Sequence, residues 1–201
     1  MKFATDPPRL VVGIAQEAGA IYGVRLLELL REGAVETHLV MCECSSTALV
    51  AQTGRDIEGV RSLADHVYHP TNQAARISSG SFLTEGMVLA PCSPASLGAI
   101  ANGLATNLFH RAADVTMKEG RPLLLLFEAA PMSPICNENL QRLSSVPEVE
   151  ILRVERLSEV QGDRRALDRI IFGLLSHFGL ECAGGGETAA RGDGSSVESG
   201  S

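Results

Sequence analysis

Pro122-Leu123-Leu124-Leu125-Leu126-Phe127 is the most informative stretch of the chain, because its six consecutive residues carry no polar side chain. Such a run is typical of a strand that is covered on both faces, as in a parallel sheet flanked by helices. Gly86-Met87-Val88-Leu89-Ala90-Pro91 has the same character. The two runs predict two buried strands of a parallel sheet.

Shorter apolar runs extend this pattern along the chain. Leu10-Val11-Val12-Gly13-Ile14 predicts a first strand, and the apolar spacing from Ile21 to Leu30 predicts a helix that Gly33 ends. Strands that alternate with helices imply right-handed crossovers, so the predicted fold class is α/β, with a mainly parallel sheet between two helical layers. The other strands are predicted at 36–41, 66–69 and 149–152, and the other helices at 45–52, 97–104, 108–117, 137–143 and 163–178.

The composition fits one globular domain with a tail. The chain has 201 residues, of which 45% are hydrophobic and 20% charged, ordinary values for a chain that buries a sizeable core. The Ser/Gly-rich end has too few apolar residues to offset the entropy of ordering. We therefore predict a folded domain over 1–182 and a disordered tail over 183–201.

Charge and hydropathy exclude several classes of protein. A net charge of -7 with no basic run argues against nucleic-acid binding. No apolar stretch of about 18 residues and no signal-peptide core is present, so we expect no membrane span and a cytoplasmic protein. Cys42-Glu43-Cys44 has no second Cys/His pair near it, so we predict no metal site, and five scattered cysteines argue against a disulfide framework.

Three segments are predicted to converge at the carboxyl ends of the strands, where open parallel sheets bind ligands. They are 13–19, 41–43 and 91–96. The third, Pro91-Cys92-Ser93-Pro94-Ala95-Ser96, places two hydroxyls and free N–H groups at the start of a helix, which suits a phosphate. The alternative is that Ser93 and Ser96 merely cap this helix, and the sequence leaves both open.

Several motifs resemble those of the flavin prenyltransferase family, the UbiX-like proteins. The resemblance runs from about residue 10 to residue 180, and its motifs are GAIYGVRLL at 19–27, SGSF at 79–82, GMV at 86–88, APCS at 90–93, and RAADV with KE at 111–119. It implies a flavodoxin-like or Rossmann-like three-layer sandwich, FMN as cofactor, and a homo-oligomer, either a trimer or a dodecamer. We expect Phe82, Met87 and Phe109 to contribute subunit contacts.

The resemblance also implies an activity and a set of site residues. Family members transfer a dimethylallyl group from dimethylallyl phosphate to reduced FMN and supply the product to a partner decarboxylase. The candidate catalytic residues are Cys42, Lys118 and Glu128, although Cys42 could instead be a small buried side chain and Lys118 could pair with a carboxylate. The candidate FMN-binding residues are Gln16, Glu17, Ala18, Cys42, Ser93, Pro94, Ala95, Ser96 and Glu128.

The chain departs from the family motifs on both sides of the expected site. Ala18 stands where the family has a serine, Cys42-Glu43 where it has Ser-Lys, and Gln52 where it has an acidic residue that exchanges protons. Glu128 replaces a family arginine, the next position lacks the family glutamate, and Gly173 replaces a second arginine. The family tyrosine that contacts the prenyl phosphate has no counterpart before residue 163.

From these departures we predict an FMN-binding flavoprotein that has lost prenyl transfer and uses its flavin in other small-molecule, secondary-metabolite chemistry. Two alternatives stay open. One is a genuine flavin prenyltransferase in which other arginines replace the missing anchors, namely Arg153, Arg156, Arg164 or Arg165. The other is a non-catalytic flavin carrier or accessory subunit.

Overall fold

Six parallel strands make up the sheet in the computed structural model, which describes residues 7–128, 132–154 and 163–180. They are β1 (Arg9–Ile14), β2 (Glu36–Met41), β3 (His66–Tyr68), β4 (Gly86–Leu89), β5 (Leu123–Glu128) and β6 (Val149–Val154). Their order is β3-β2-β1-β4-β5-β6, and every pair of neighbours is parallel. The predicted α/β fold with a parallel sheet is confirmed.

The described part of the chain forms seven α-helices, none of which has the length and apolar character needed to cross a bilayer. They are α1 (Ala20–Glu32), α2 (Ser46–Thr53), α3 (Ile57–Arg61), α4 (Pro94–Ala101), α5 (Leu108–Lys118), α6 (Pro134–Ser144) and α7 (Arg164–Ser176). Six match the predicted helices with shifts of a few residues, and α3 was not predicted. The predicted tail at 183–201 lies outside the described residues.

The helices cover both faces of the sheet, because successive strand residues point to opposite sides. Val12 belongs to an apolar cluster with α1 and α7, whereas Val11 belongs to a second cluster with α4 and α5. In β5 every residue from Leu123 to Phe127 is buried. The near-continuous apolar run therefore reflects a strand with no solvent-facing side.

The order of the strands reverses direction between β1 and β4. The chain leaves β1 toward β2 and β3, then returns to add β4, β5 and β6 on the other side. The amide of Ala90 donates to the carbonyl of Gly13 at 2.8 Å, and that of Ala15 donates to the carbonyl of Pro91 at 3.3 Å. Such a reversal opens a crevice outside the carboxyl ends of the strands, the usual ligand position in this class of sheet.

A cluster of polar side chains connects β1, β2 and β3, the strands on the side of the sheet away from β4. Glu36 Oε1 lies 2.9 Å from His38 Nε2 and 3.3 Å from His66 Nε2, while Arg9 donates to its second oxygen. The two imidazole rings are stacked, with centroids 4.7 Å apart and an angle of 16° between their planes. A metal ion binds in the plane of an imidazole and cannot lie in two parallel ring planes, so this arrangement favours hydrogen bonding over coordination.

We expect the stability of the protein to fall when the pH drops from about 7.5 to 5.5. His38 and His110 are buried, and burial lowers the pKa of both imidazoles, outweighing the opposing charge of Glu36 beside His38. The unfolded chain therefore binds more protons than the folded chain below the ordinary histidine pKa of about 6.5, which lowers the free energy of unfolding. Urea unfolding across this range measures the effect, and rising stability toward acid would contradict it.

Candidate functional site

The turn after β1 is held against α2 by a side-chain hydrogen bond. Gly19 adopts φ +81°, a conformation that favours glycine, and its amide donates to Gln52 Oε1 at 3.1 Å. Gln16 Nε2 donates to the carbonyl of Ala18 at 3.1 Å, and the methyl group of Ala18 is exposed. Gln52 therefore lies beside the turn after β1, where its carboxamide oxygen serves as an acceptor.

Two cysteines lie at the carboxyl end of β2. The amide of Cys42 donates to the carbonyl of Ile14 at 2.9 Å, which places Cys42 next to the end of β1. Its Sγ lies 3.0 Å from Sγ of Cys44, a buried residue that the sequence had not singled out as part of the site. Nearby, the carboxylate of Glu17 accepts the amide of Ser45 at 2.8 Å, at the start of α2.

The hydrogen bond between the two thiols sets the direction of each pKa. The hydrogen bond from the Cys42 thiol stabilises a Cys44 thiolate and lowers the pKa of Cys44, against burial and the charge of Glu17. The same hydrogen bond, together with burial, raises the pKa of Cys42. Cys44 is therefore the first thiol of the pair to ionise, and the thiol of Cys42 donates to the resulting thiolate.

Ser93 caps α4. Its Oγ accepts the amide of Ser96 at 3.0 Å and also contacts Ser96 Oγ at 3.0 Å. Ser96 is 5% exposed, and its Oγ lies 3.3 Å from Nε2 of His110, whose Nδ1 lies 2.8 Å from the hydroxyl of Thr106. Of the two serines, only Ser93 is exposed enough to contact a ligand as well as the helix.

Glu128 ends β5 at the same edge of the sheet, one strand beyond β4. The amide of Cys92 donates to the carbonyl of Leu126 at 2.8 Å and fixes the turn after β4 against the end of β5. Glu128 is half-buried, and residues 129–131, where the family segment continues, lie outside the described residues. The turns after β1, β2 and β4 and the end of β5 thus meet at one edge.

Lys118 lies at the opposite edge of the sheet. It ends α5, and Arg121 follows and donates to the carbonyl of Gly80 at 2.7 Å, before β5 begins. A strand of six residues separates the two edges, a distance of about 20 Å. Lys118 therefore cannot contact the crevice of its own chain.

The arginines proposed as replacement anchors fall in different places. Arg164 lines a groove of about 250 Å³ together with Gln52 and Arg25, whose guanidinium pairs with Asp168 at 2.6 Å. Arg164 and Arg165 are the first two residues of α7, whereas Arg153 lines a separate groove against α6. Arg156 lies outside the described residues. Arg164 is thus the arginine of this set that the structure brings next to Gln52.

The arrangement is suited to binding an anion. The amino termini of α1 and α4 face the same edge of the sheet and offer backbone N–H groups. Pro94 and Ala95, at the start of α4, are exposed and small, which leaves the backbone accessible. These backbone groups are donors for an anion, and Cys42, Cys44 and Glu128 are ionisable side chains at the same edge.

The chain is similar to known proteins over most of its length. Residues 4–170, which include all six described strands, match the family described as Flavoprotein. A probable UbiX-like flavin prenyltransferase of Bacillus subtilis (strain 168) is 40% identical over 173 residues, 86% of this chain and 85% of the relative. Another, of Escherichia coli O157:H7, is 40% identical over 178 residues, 86% of this chain and 89% of the relative.

Two solved structures show the same similarity in three dimensions. A dodecameric FMN-dependent UbiX-like decarboxylase from Escherichia coli O157:H7 is 39% identical, with a TM-score of 0.76 over 87% of this chain and 96% of the other. A UbiX protein in complex with FMN and dimethylallyl pyrophosphate is 34% identical, with a TM-score of 0.78 over 87% of this chain and 94% of the other. Both superpositions include most of the chain.

Proposed function

Because the chain belongs to the UbiX-like flavin prenyltransferases of the Flavoprotein family, we propose that it binds FMN and transfers a dimethylallyl group from dimethylallyl phosphate to the reduced flavin. The observation that carries the proposal is the 40% identity to probable flavin prenyltransferases, which extends over 86% of the chain. The prenylated flavin would then serve a partner decarboxylase, as the resemblance implies.

The groups at the crevice between β1 and β4 suit the phosphate of FMN. The helix termini of α1 and α4 offer N–H groups for a phosphate, and the half-buried Ser93 adds a hydroxyl. Gly19 turns the chain into α1 with a positive φ, a conformation that favours glycine. Because glycine has no side chain, the crevice edge is open at this residue. Bound reduced FMN would supply the nucleophile, and the residues of this chain would bind and orient it.

The proposal favours retained prenyl transfer over the loss inferred from the sequence departures. One support is that a relative at 40% identity is a probable UbiX-like flavin prenyltransferase. The other is the structural similarity, at 34% identity, to a UbiX protein in complex with dimethylallyl pyrophosphate. Arg164 offers a cation in the groove that contains Gln52, which fits the idea of a replacement anchor. The loss of prenyl transfer stays a prediction. The mass of the flavin after incubation with dimethylallyl phosphate decides between retained and lost transfer.

The test is to incubate the protein anaerobically with reduced FMN and dimethylallyl phosphate and to measure the mass of the released flavin. We expect a flavin that has gained one dimethylallyl group. Reactions without protein, without reductant and without the phosphate donor are the controls. Bound FMN of unchanged mass would overturn prenyl transfer, whereas no uptake of FMN at high micromolar concentration would overturn the cofactor assignment.

A second candidate function is other flavin-dependent chemistry on a small molecule. The observation that favours it is the pair of replaced side chains, the carboxamide of Gln52 on the amide of Gly19 and the carboxylate of Glu128 at the end of β5. Neither can serve as a cationic phosphate ligand, and a carboxamide does not exchange protons. Binding of FMN without prenyl transfer in the same assay would support this candidate.

Ser93→Ala is expected to weaken FMN binding by about fivefold, which corresponds to roughly 1 kcal/mol, the net value of one hydrogen bond. It should also destabilise the protein by about 1 kcal/mol, because Ser93 caps α4. Ser133→Ala is the matched control, since Ser133 caps α6 through the amide of Cys136 at 3.2 Å. Fluorescence titration of FMN should separate the two variants, and equal affinities would remove Ser93 from the proposed site.

We expect the protein to be a homo-oligomer larger than a dimer. Lys118 lies at the edge opposite the crevice, so it can reach a site only on a neighbouring subunit, and a solved relative is dodecameric. Met87 and Phe109 are buried in the core, so the expectation that they form subunit contacts was wrong, because they fill the layer between the sheet and α5. Light scattering that reports a 21.3 kDa monomer would contradict the oligomer.

A further inference from the structure

We propose that Cys42 and Cys44 form a reversible disulfide by exchange with small-molecule disulfides, so that the edge of the crevice carries a redox modification site. The proposal concerns the two cysteines alone and holds whichever reaction the crevice supports. It differs from a disulfide framework, which would staple distant parts of the chain.

The distance between the two sulfurs carries the argument. Cys42 Sγ and Cys44 Sγ are 3.0 Å apart, and a disulfide bond is about 2.05 Å long, so closure needs a movement of roughly 1 Å. The other described cysteines have different neighbours, since Cys92 Sγ contacts the carbonyl of Ser93 and Cys136 Sγ contacts Met132 Sδ. Among the described residues, the pair at 42 and 44 is the one poised to close.

The local structure also explains why oxidation would be reversible. Only Glu43 separates the two cysteines, so the disulfide closes a small ring. Rings of this kind are strained, and strained disulfides are more readily reduced than structural ones. The backbone hydrogen bond from Cys42 to Ile14 holds the first sulfur at the sheet edge, while Cys44 is buried against the core.

The chemistry balances with one external disulfide, RSSR. The pair loses one proton to solvent from Cys44, and the remaining proton then moves from Cys42 to Cys44 across the 3.0 Å between the sulfurs. The Cys42 thiolate, which is more exposed than Cys44 at 8%, attacks one sulfur of RSSR. This forms a mixed disulfide on Cys42 and releases RS⁻. The thiol of Cys44 then passes its proton to RS⁻ and attacks Cys42 Sγ, which breaks the bond to the second RS⁻. Two thiols are oxidised, and one RSSR is reduced to two RSH.

The experiment equilibrates the full-length protein with mixtures of reduced and oxidised glutathione, quenches in acid, alkylates in denaturant and digests with trypsin. Cleavage at Arg31 and Arg55 isolates a peptide that contains Cys42 and Cys44 and no other cysteine. We expect the doubly alkylated peptide to give way to a form that lacks two hydrogen atoms and takes up no alkylating agent. This form should appear about tenfold faster than a glutathione adduct on Cys136.

Two serine variants and one control make the outcome specific. Cys44→Ser should stop at a glutathione adduct on Cys42, Cys42→Ser should form no intrapeptide disulfide, and Cys136→Ser should behave like the wild type. If a variant fails to fold, as judged by thermal melting, the alkylation state of the wild-type peptide is used alone to test the proposal. A wild-type peptide that stays doubly alkylated or accumulates the glutathione adduct would overturn the proposal. Equal rates of closure in the folded and the urea-denatured chain would overturn it as well.

Discussion

Replacing Glu128 by arginine is expected to raise kcat/KM for dimethylallyl phosphate by a factor of about 10²–10³. The residue ends β5 at the edge where the crevice opens, and the resemblance places a cation at this position. Transfer of the allylic group leaves charge on the departing phosphate, and one preorganised contact to developing charge is worth roughly 3–4 kcal/mol. Wild-type turnover is expected to be slow for the same reason.

Glu128→Gln is the matched control for this prediction, because it removes the negative charge and supplies no cation. Its rate should fall between those of the wild type and the arginine variant. Single-turnover measurements with bound reduced FMN separate transfer from release of product. A Glu128→Arg variant that is slower than the wild type would show that the carboxylate takes part in the reaction, or that the segment after Phe127 contacts something other than the prenyl donor.

Replacing Gly23 by alanine is expected to destabilise the protein by about 3 kcal/mol, at the upper end of the range for an overpacked core. The added methyl group would clash with the carbonyl oxygen of Ala90 and lie 2.6 Å from Cγ1 of Ile14. Both neighbours belong to the ends of the strands that flank the crevice, so α1 would have to move away from the sheet. Thermal melting should show a decrease of roughly 10 °C for a chain of this size.

Gly173→Ala is the matched control, since Gly173 also lies inside a helix but a methyl group there meets no atom within 4 Å. This exposed replacement should stabilise the protein by about 0.5–1 kcal/mol through the gain in helix propensity. FMN binding should weaken in the Gly23 variant, because α1 carries part of the crevice edge, and stay unchanged in the Gly173 variant. Equal melting temperatures for the two variants would contradict the close packing of α1.

The strands could be predicted from the sequence because a strand covered on both faces leaves a continuous apolar run. The start of α4 was predicted three residues late, since Pro94 and Ala95 are exposed and the apolar spacing begins only at Leu97. The capping pair Ser93-Pro94 marks the true start. The helix α3 was missed because five residues are too few to display a helical period.

The position of site residues was predictable where it follows from topology. The turns that contain Ala18, Cys42 and Ser93 follow strands, so they had to meet at the carboxyl edge of a parallel sheet. The same rule places Lys118 at the other edge, because a helix that connects parallel strands runs back along them, and this inference was not drawn from the sequence. The contact between Ser96 Oγ and His110 Nε2 forms only when α4 packs against α5, so no local pattern in the sequence predicts it.

The backbone hydrogen bonds at the strand ends have a consequence for how such proteins diverge. Amides of residues 15, 42 and 92 donate to carbonyls of residues 91, 14 and 126, so the contacts that join the strand ends are made by main-chain atoms. Side chains in these turns can be exchanged while these contacts persist, apart from the proline and glycine positions. Point substitutions in these turns can therefore change the chemistry of the crevice without requiring a new backbone architecture.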